Sequence, residues 1–217
     1  MKTQISKVKY IYIYIMNNNL KKSLIGSIII STPFIYGYLS EKNKNIKIKN
    51  TILKDDVSSK TVLSVTKQVK DTWDKPTINV YNNEKKWLNI LKDTDIIAKP
   101  IYFDDQNRIL TTEYSGDKIN KNNIPKDWEK QKKHILTTLK NHNCRHNDIK
   151  PDELLVQNDK IKLIDFGWAH ELDKSNPSDW PKCLGDKFKC NLPNKDYDDE
   201  CSFDKVIKHI LDDKTQS

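Results

Sequence analysis

The stretch "HNDIKPDELLVQNDKIKLIDFG", residues 146–167, decides how the chain folds. It contains two polar runs, "HNDIKP" and "IDFG", that place Asp148 and Asp165 17 positions apart. Residues 154–156 and 161–164 are mostly apolar and flank turn-forming residues at 157–160, a pattern that predicts a β-hairpin. One short hairpin between two loops accounts for the separation of the two aspartates.

The sequence on either side of this stretch predicts an α+β chain in two lobes. Helices are predicted where apolar residues share one face, as Trp87, Leu88 and Leu91 do after Glu84. Strands are predicted where β-branched residues cluster between turns. A hinge is predicted near residues 113–116, where Gly116 interrupts the chain. The predicted strands are residues 61–69, 96–103 and 108–114, and the predicted helices are residues 81–92, 128–142 and 198–211.

The two polar runs, in register with the hairpin between them, resemble the catalytic and metal-binding loops of the eukaryotic-type protein kinase-like superfamily. The resemblance covers roughly residues 61–203. It implies a two-lobed protein kinase-like fold, with an N-terminal lobe at residues 51–114 and a C-terminal lobe at residues 115–217. The C-terminal lobe is expected to be truncated, because only 50 residues follow Gly167.

The resemblance also implies how phosphate would be transferred from ATP to a hydroxyl group. Asp148 would lie beside the attacking hydroxyl as the catalytic carboxylate, and Lys150 would reach the transferring phosphate. Asp165 would hold Mg²⁺ against the phosphates. His146 is expected to pack and hydrogen-bond at the base of the loop, without a part in catalysis.

The N-terminal lobe would supply the remaining contacts to ATP. The run "SVTK", residues 64–67, is similar to the family's V-A-I-K, which implies that Lys67 contacts the α- and β-phosphates while Glu84 holds it. Lys70 is the second candidate for that lysine. The backbone of the hinge would meet the adenine, and its residues are Glu113, Tyr114 and Ser115.

Several positions depart from the family pattern. Glu153 stands where the family has a metal-binding asparagine, and it is a second candidate metal ligand because glutamate can bind Mg²⁺ through oxygen. Asn147 stands where many protein kinases have an arginine that pairs with the phosphorylated activation loop. The absence of that arginine argues against regulation by such phosphorylation. No glycine lies between residues 38 and 115, so a glycine-rich loop over the phosphates cannot have its usual form. Asp198 or Asp199 is expected to brace the catalytic loop.

These features favour a minimal kinase that depends on ATP and Mg²⁺ and transfers the γ-phosphate to a hydroxyl-bearing acceptor. Lys150 is typical of the Ser/Thr protein kinase branch and slightly favours a protein acceptor, whereas the truncation favours a small molecule of the sugar or lipopolysaccharide type. A pseudokinase that serves as a binding or scaffold module is the other alternative, because Glu153 and the scarce glycines weaken the ATP site.

Charge is concentrated at the N-terminus. The first 50 residues hold nine lysines and one glutamate, whereas residues 51–217 hold 29 basic and 29 acidic side chains. The folded part is therefore electrically neutral, and we expect no nucleic-acid partner. The excess of lysine at the N-terminus is better suited to contact a membrane surface than a nucleic acid.

A candidate membrane segment follows the basic leader at residues 1–22. Residues 23–40 carry no charge and are long enough for a single-pass transmembrane segment, with a signal peptide or a buried or interfacial helix as alternatives. Residues 41–50 are predicted to be a solvated linker. The use of ATP would place the kinase-like domain on the cytoplasmic side of a membrane, with a soluble cytoplasmic protein as the alternative.

The four cysteines, Cys144, Cys183, Cys190 and Cys201, form no CxxC pair. Their spacing favours four reduced thiols. A zinc site built from the last three and a histidine is the alternative, although no ligand spacing supports it.

Overall fold

The structure is a computed structural model that describes residues 27–28, 46–54, 59–69, 78–177, 187–190 and 197–212. The chain divides into two compact units, residues 1–67 and residues 68–217. The mixture of helices and strands is the predicted α+β content.

The first unit contains antiparallel strands. Strand β2 (Ile46–Lys54) pairs along its whole length with β3 (Ser59–Gln68), the last residue of which belongs to the second unit. A two-residue strand, β1 (Ser27–Ile28), pairs with the other edge of β2. The strand predicted at residues 61–69 is thus confirmed. Its β-branched residues suit an extended backbone.

The linker prediction for residues 46–50 was wrong, because these residues begin β2. Isoleucine and lysine alternate at positions 46–49, and this period of two suits a strand. The prediction followed the lysine- and asparagine-rich composition and overlooked the alternation.

The candidate membrane segment lies almost entirely outside the described residues. Of residues 23–40, the structure describes only the short strand β1. Within the described ranges, no helix has the length and apolar character needed to cross a bilayer. Lys70 and residues 55–58 also lie outside the described residues.

The second unit begins its regular structure with helix α1 (Val80–Leu91). Asn79 caps this helix, and its side-chain oxygen accepts a hydrogen bond from the backbone N–H of Asn82 at 2.9 Å. The apolar stripe of α1 is buried, as predicted. A hairpin of β4 (Pro100–Asp104) and β5 (Ile109–Glu113) follows.

The rest of the second unit surrounds the two polar runs. The predicted helix at residues 128–142 is α2 (Trp128–Asn141), and the last described helix is α3 (Asp199–Asp212). The predicted hairpin is present as β8 (Leu154–Gln157) and β9 (Lys160–Leu163), joined along one edge by β6 (Asp117–Lys118). Strands β7 (Cys144–Arg145) and β10 (His170–Glu171) pair on either side of the two loops.

A single apolar cluster ties these elements together. It includes Trp87 and Leu91 from α1, Leu139 from α2, Leu163 from β9 and Phe203 from α3. All five are almost fully buried. The loops that carry Asp148 and Asp165 therefore project from a packed base.

One predicted strand starts later than expected. The sequence predicts a strand from residue 96, but β4 begins at Pro100. Ile96 and Ile97 are instead buried beside β9, where the backbone N–H of Leu163 donates to the carbonyl of Ile96 at 2.8 Å. The apolar run correctly indicated burial, but its pairing partner is the hairpin rather than β5.

The prediction of four reduced thiols was wrong for one pair, because Cys190 and Cys201 form a disulfide. The backbone N–H of Asp198 donates to the carbonyl of Cys190 at 2.8 Å, so the residue before α3 lies beside Cys190. Cys144 is a buried free thiol whose pKa is raised by burial. Cys183 lies outside the described residues.

Candidate active site

The loop that carries Asp148 is held at its base by α3. The carboxylate of Asp199 accepts hydrogen bonds from the backbone N–H groups of His146 at 2.6 Å and Asn147 at 2.9 Å. Asn147 has a left-handed backbone with φ of 64°, a conformation that asparagine tolerates better than most residues. Of the two predicted braces, Asp199 is the one that holds the loop.

His146 packs beneath the loop, as predicted. It is fully buried, and its ring meets Phe166 edge to face at a centroid distance of 4.7 Å. Burial lowers the pKa of His146, which keeps the imidazole neutral. Nε2 lies 2.9 Å from the carbonyl oxygen of Ile164, so Nε2 carries the proton and donates it. The histidine thereby joins the two polar loops.

Asp148 is buried between two lysines. The ammonium of Lys150 lies 2.5 Å from Oδ2 of Asp148, and the ammonium of Lys189 contacts Oδ1. Lys189 also donates to the backbone carbonyl of Asn147 at 2.8 Å. Both oxygens of the carboxylate are therefore paired with positive charge, which offsets the cost of burying it.

Lys150 bridges Asp148 and the unusual glutamate of the loop. Its ammonium lies 3.0 Å from Oε1 of Glu153, which belongs to the 3₁₀ turn Pro151–Glu153. Burial opposes the charge of Lys150, but the two carboxylates outweigh burial and raise its pKa. Lys150 therefore stays fully protonated in this environment.

Glu153 and Asp165 lie close enough to repel each other. Burial raises the pKa of Glu153 to about 8, with the charge of Asp165 as the next contribution and the charge of Lys150 opposing both. Asp165 has a left-handed backbone with φ of 63°, a conformation that costs a non-glycine residue about 1–2 kcal/mol. Such strain is often found at functional sites.

We expect the charge of Glu153 to make the stability of the fold depend on pH. Its carboxyl binds a proton more tightly in the folded chain, with a pKa of about 8, than at its ordinary value of 4.5. The stabilisation from this proton is fully present below about pH 4.5 and is lost as the pH rises to about 8, on the order of 5 kcal/mol in the limit. Glu153→Gln removes the effect, so its advantage in unfolding free energy over the wild type should widen between about pH 5 and pH 9 in metal-free buffer. Parallel pH profiles for the two proteins in chemical denaturation would contradict this account.

Helix α1 is anchored directly on the segment that follows Asp165. The side-chain amide of Asn83 donates to the carbonyls of Gly167 at 3.0 Å and Ala169 at 2.8 Å, with a longer contact to Phe166. The indole N–H of Trp87 donates to the same carbonyl of Ala169 at 3.1 Å. These bonds fix the helix that carries Glu84 against the second polar loop.

Gly167 is required by this close approach. A Cβ at this position would lie 2.6 Å from Cγ1 of Val80, at the start of α1. The glycine of "DFG" thus lets the helix approach the loop backbone. An alanine there would push α1 away from the segment that Asn83 and Trp87 hold.

The residues of the predicted hinge also have a defined geometry. Glu113 ends β5, and its backbone N–H donates to the carbonyl of Lys99 at 2.8 Å. The hydroxyl of Tyr114 donates to Asp117 at 2.7 Å, whereas Ser115 is buried. Gly116 has φ of +100°, and a Cβ there would overlap the carbonyl oxygen of Val156. This position therefore requires glycine.

The second unit brings together Asp148, Lys150, Glu153 and Asp165 around two adjoining loops. Lys67 lies on β3 in the first unit, whereas Glu84 is buried on α1 in the second. Their pairing stays a prediction.

Sequence reasoning missed two residues of the site. One is Asn83, whose only signal is a polar side chain one helical turn before the buried Trp87. The other is Lys189, which lies 41 positions from Asp148 in an irregular segment and gives no sequence signal.

A buried aspartate paired with lysine and a braced loop lie beside a helix that is anchored on "DFG". A family model of the protein kinase domain matches residues 47–188, which is more than half of the chain. The chain therefore belongs to the protein kinase family. The comparison with curated proteins gave no match.

Proposed function

We propose that the protein is a kinase that uses ATP and Mg²⁺ and transfers the γ-phosphate to a hydroxyl group, with serine or threonine of a protein as the favoured acceptor. The observation that carries the proposal is the buried ion pair between Asp148 and Lys150. Family membership supports the interpretation of its loop as the catalytic loop. The two side chains that we propose for phosphoryl transfer, Asp148 and Lys150, are in contact.

Each of the two side chains has one task in this mechanism. The carboxylate of Asp148 orients the acceptor hydroxyl and takes its proton at Oδ2, as the hydroxyl oxygen bonds to the γ-phosphorus and ADP leaves with the bridging oxygen. Lys150 turns from that oxygen toward the transferring phosphate and balances its negative charge. His146 remains neutral and keeps the two loops joined.

The carboxylates beside this pair fit a magnesium ion. Within the described residues, no group of three or more histidine, cysteine, aspartate or glutamate side chains could hold a metal. Mg²⁺ in nucleotide sites needs only one or two carboxylates, because phosphate and water supply the other ligands. Asp165 and Glu153, whose charges interact, would hold it, and the ion would neutralise charge on the phosphates.

A pseudokinase is the second candidate, and one observation favours it. Both oxygens of Asp148 are already paired with lysines, and Lys150 is also paired with Glu153. Both lysines on Asp148 therefore already have a carboxylate partner. A protein of this kind would keep the fold for binding a partner.

Transfer of labelled phosphate separates these candidates. The full-length chain is incubated with Mg²⁺ and ATP labelled in the γ-phosphate, together with serine- and threonine-rich model proteins or with sugars and lipopolysaccharide. We expect label on protein serine or threonine, and loss of that label in Asp148→Asn. Label on the sugar or lipopolysaccharide alone would change the acceptor class. Absence of label on every acceptor and on the protein itself would favour the pseudokinase.

A further inference from the structure

Lys189 is a second lysine in contact with the catalytic aspartate. Its side chain is only 2% exposed, and its ammonium contacts Oδ1 of Asp148 while donating to the carbonyl of Asn147 at 2.8 Å. Neither the sequence pattern nor family membership assigns a role to this lysine. A buried ammonium that ends on a catalytic carboxylate calls for a functional explanation, because burying a lysine is costly.

The backbone of Lys189 is fixed from several sides. The ammonium of Lys205 on α3 donates to its carbonyl at 2.8 Å, and the next residue, Cys190, is joined to Cys201 of α3 by the disulfide. The ring of Tyr197 lies 5.5 Å from the ammonium of Lys189. Helix α3 therefore holds the backbone at Lys189 as well as the loop that Asp199 braces.

The two lysines on Asp148 differ in their freedom to move. The side chain of Lys150 is 26% exposed, and its two partners are the carboxylates of Asp148 and Glu153. Lys189 is enclosed and holds a backbone carbonyl as well as a carboxylate oxygen. When negative charge approaches the site, Lys150 is the lysine that can leave Asp148, whereas Lys189 stays.

We infer that Lys189 is a positioning residue that fixes Oδ1 of Asp148, so that Oδ2, once Lys150 leaves it, points at the acceptor hydroxyl. This inference rests on the proposed kinase function. The two carboxylate oxygens then have different tasks. Oδ1 is held by the protein, and Oδ2 is free for the reaction. A carboxylate held at one oxygen keeps its orientation in the absence of Lys150.

The test compares steady-state kinetics of Lys189→Met, Lys189→Arg and the control Lys187→Met. Lys187 lies in the same segment, but it is exposed and contacts His209 on the surface. We expect Lys189→Met to lower kcat by roughly 100-fold with little change in the KM for ATP, because a misoriented group costs rate rather than binding. Lys189→Arg should restore part of kcat, and Lys187→Met should match the wild type.

The outcomes separate this inference from the proposed function. A wild-type enzyme that transfers phosphate, with Lys189→Met as active as Lys187→Met, would overturn the positioning role and leave the kinase function standing. If Lys189→Met raises the KM for ATP by the same factor as it lowers kcat, and Lys189→Arg restores neither, Lys189 has only a structural role. This result would also overturn the positioning role. A wild-type chain that transfers no phosphate would overturn the proposed function and this inference with it.

Discussion

Asp148→Asn is expected to lower the rate of phosphoryl transfer by about 100- to 10,000-fold, the usual contribution of a catalytic base. Asparagine keeps the shape of the side chain but cannot accept the proton of the attacking hydroxyl. Binding of ATP should persist, because the predicted phosphate and metal contacts come from other residues. The measurement is kcat in the labelled-phosphate assay, together with ATP binding followed by thermal shift.

The matched control is Asp152→Asn. Asp152 lies four positions along the same loop, but its side chain is 49% exposed and pairs with Lys118 on the surface. An exposed ion pair contributes about 0–1 kcal/mol, so this variant should keep the wild-type rate and stability. If Asp148→Asn transfers phosphate as fast as Asp152→Asn, Asp148 is not the catalytic carboxylate.

Stability must be measured alongside, because Asp148→Asn leaves Lys189 buried without its charged partner. Removing one member of a buried pair typically costs about 3–5 kcal/mol. A second variant, Asp148→Asn combined with Lys189→Met, removes the unpaired charge. It should regain unfolding free energy relative to Asp148→Asn while remaining inactive, which separates loss of chemistry from loss of fold.

The second large effect is expected for Asp199→Ala. This change leaves the backbone N–H groups of His146 and Asn147 without their acceptors. Each unsatisfied buried donor costs about 1–3 kcal/mol, so the unfolding free energy should fall by the sum of two such losses. Activity should fall as well, because the loop that carries Asp148 loses its brace. Asp199→Asn keeps one oxygen and should be intermediate.

The neighbouring aspartate supplies the control. Oδ1 of Asp198 accepts a hydrogen bond from the backbone N–H of Cys201 at 3.0 Å, as a cap at the start of α3. Losing such a cap costs about 1 kcal/mol. Chemical denaturation should therefore give a much lower unfolding free energy for Asp199→Ala than for Asp198→Ala. Equal stability of the two variants would show that Asp199 is not the brace of the loop.

Local patterns in the sequence were sufficient for much of the fold. The apolar stripe of α1 and the hairpin between the two polar loops extend over neighbouring residues, so their periodicity can be read directly. One short hairpin connects the two polar runs, so the sequence could predict that the loop with Asp148 and Lys150 adjoins the loop with Asp165. Gly116 was predicted as a break, and its φ of +100° gives the physical reason.

Long-range contacts could not be predicted in the same way. Lys189 reaches Asp148 across 41 positions, and Asn83 reaches Ala169 across 86. The disulfide between Cys190 and Cys201 depends on how the chain turns at Asp198. None of these partners shares a period or a motif, so only the folded chain brings them together.

The central claim is that Asp165, on the loop beside Asp148, builds a metal–nucleotide site. The measurement that tests it most directly is the thermal stability of the full-length chain with ATP, in the presence and absence of Mg²⁺, for the wild type and Asp165→Asn. Ligand that binds only the folded state raises Tm, so the account predicts a rise for the wild type that requires Mg²⁺ and disappears in the variant. The absence of any rise at millimolar ATP, or an equal rise in Asp165→Asn, would contradict it.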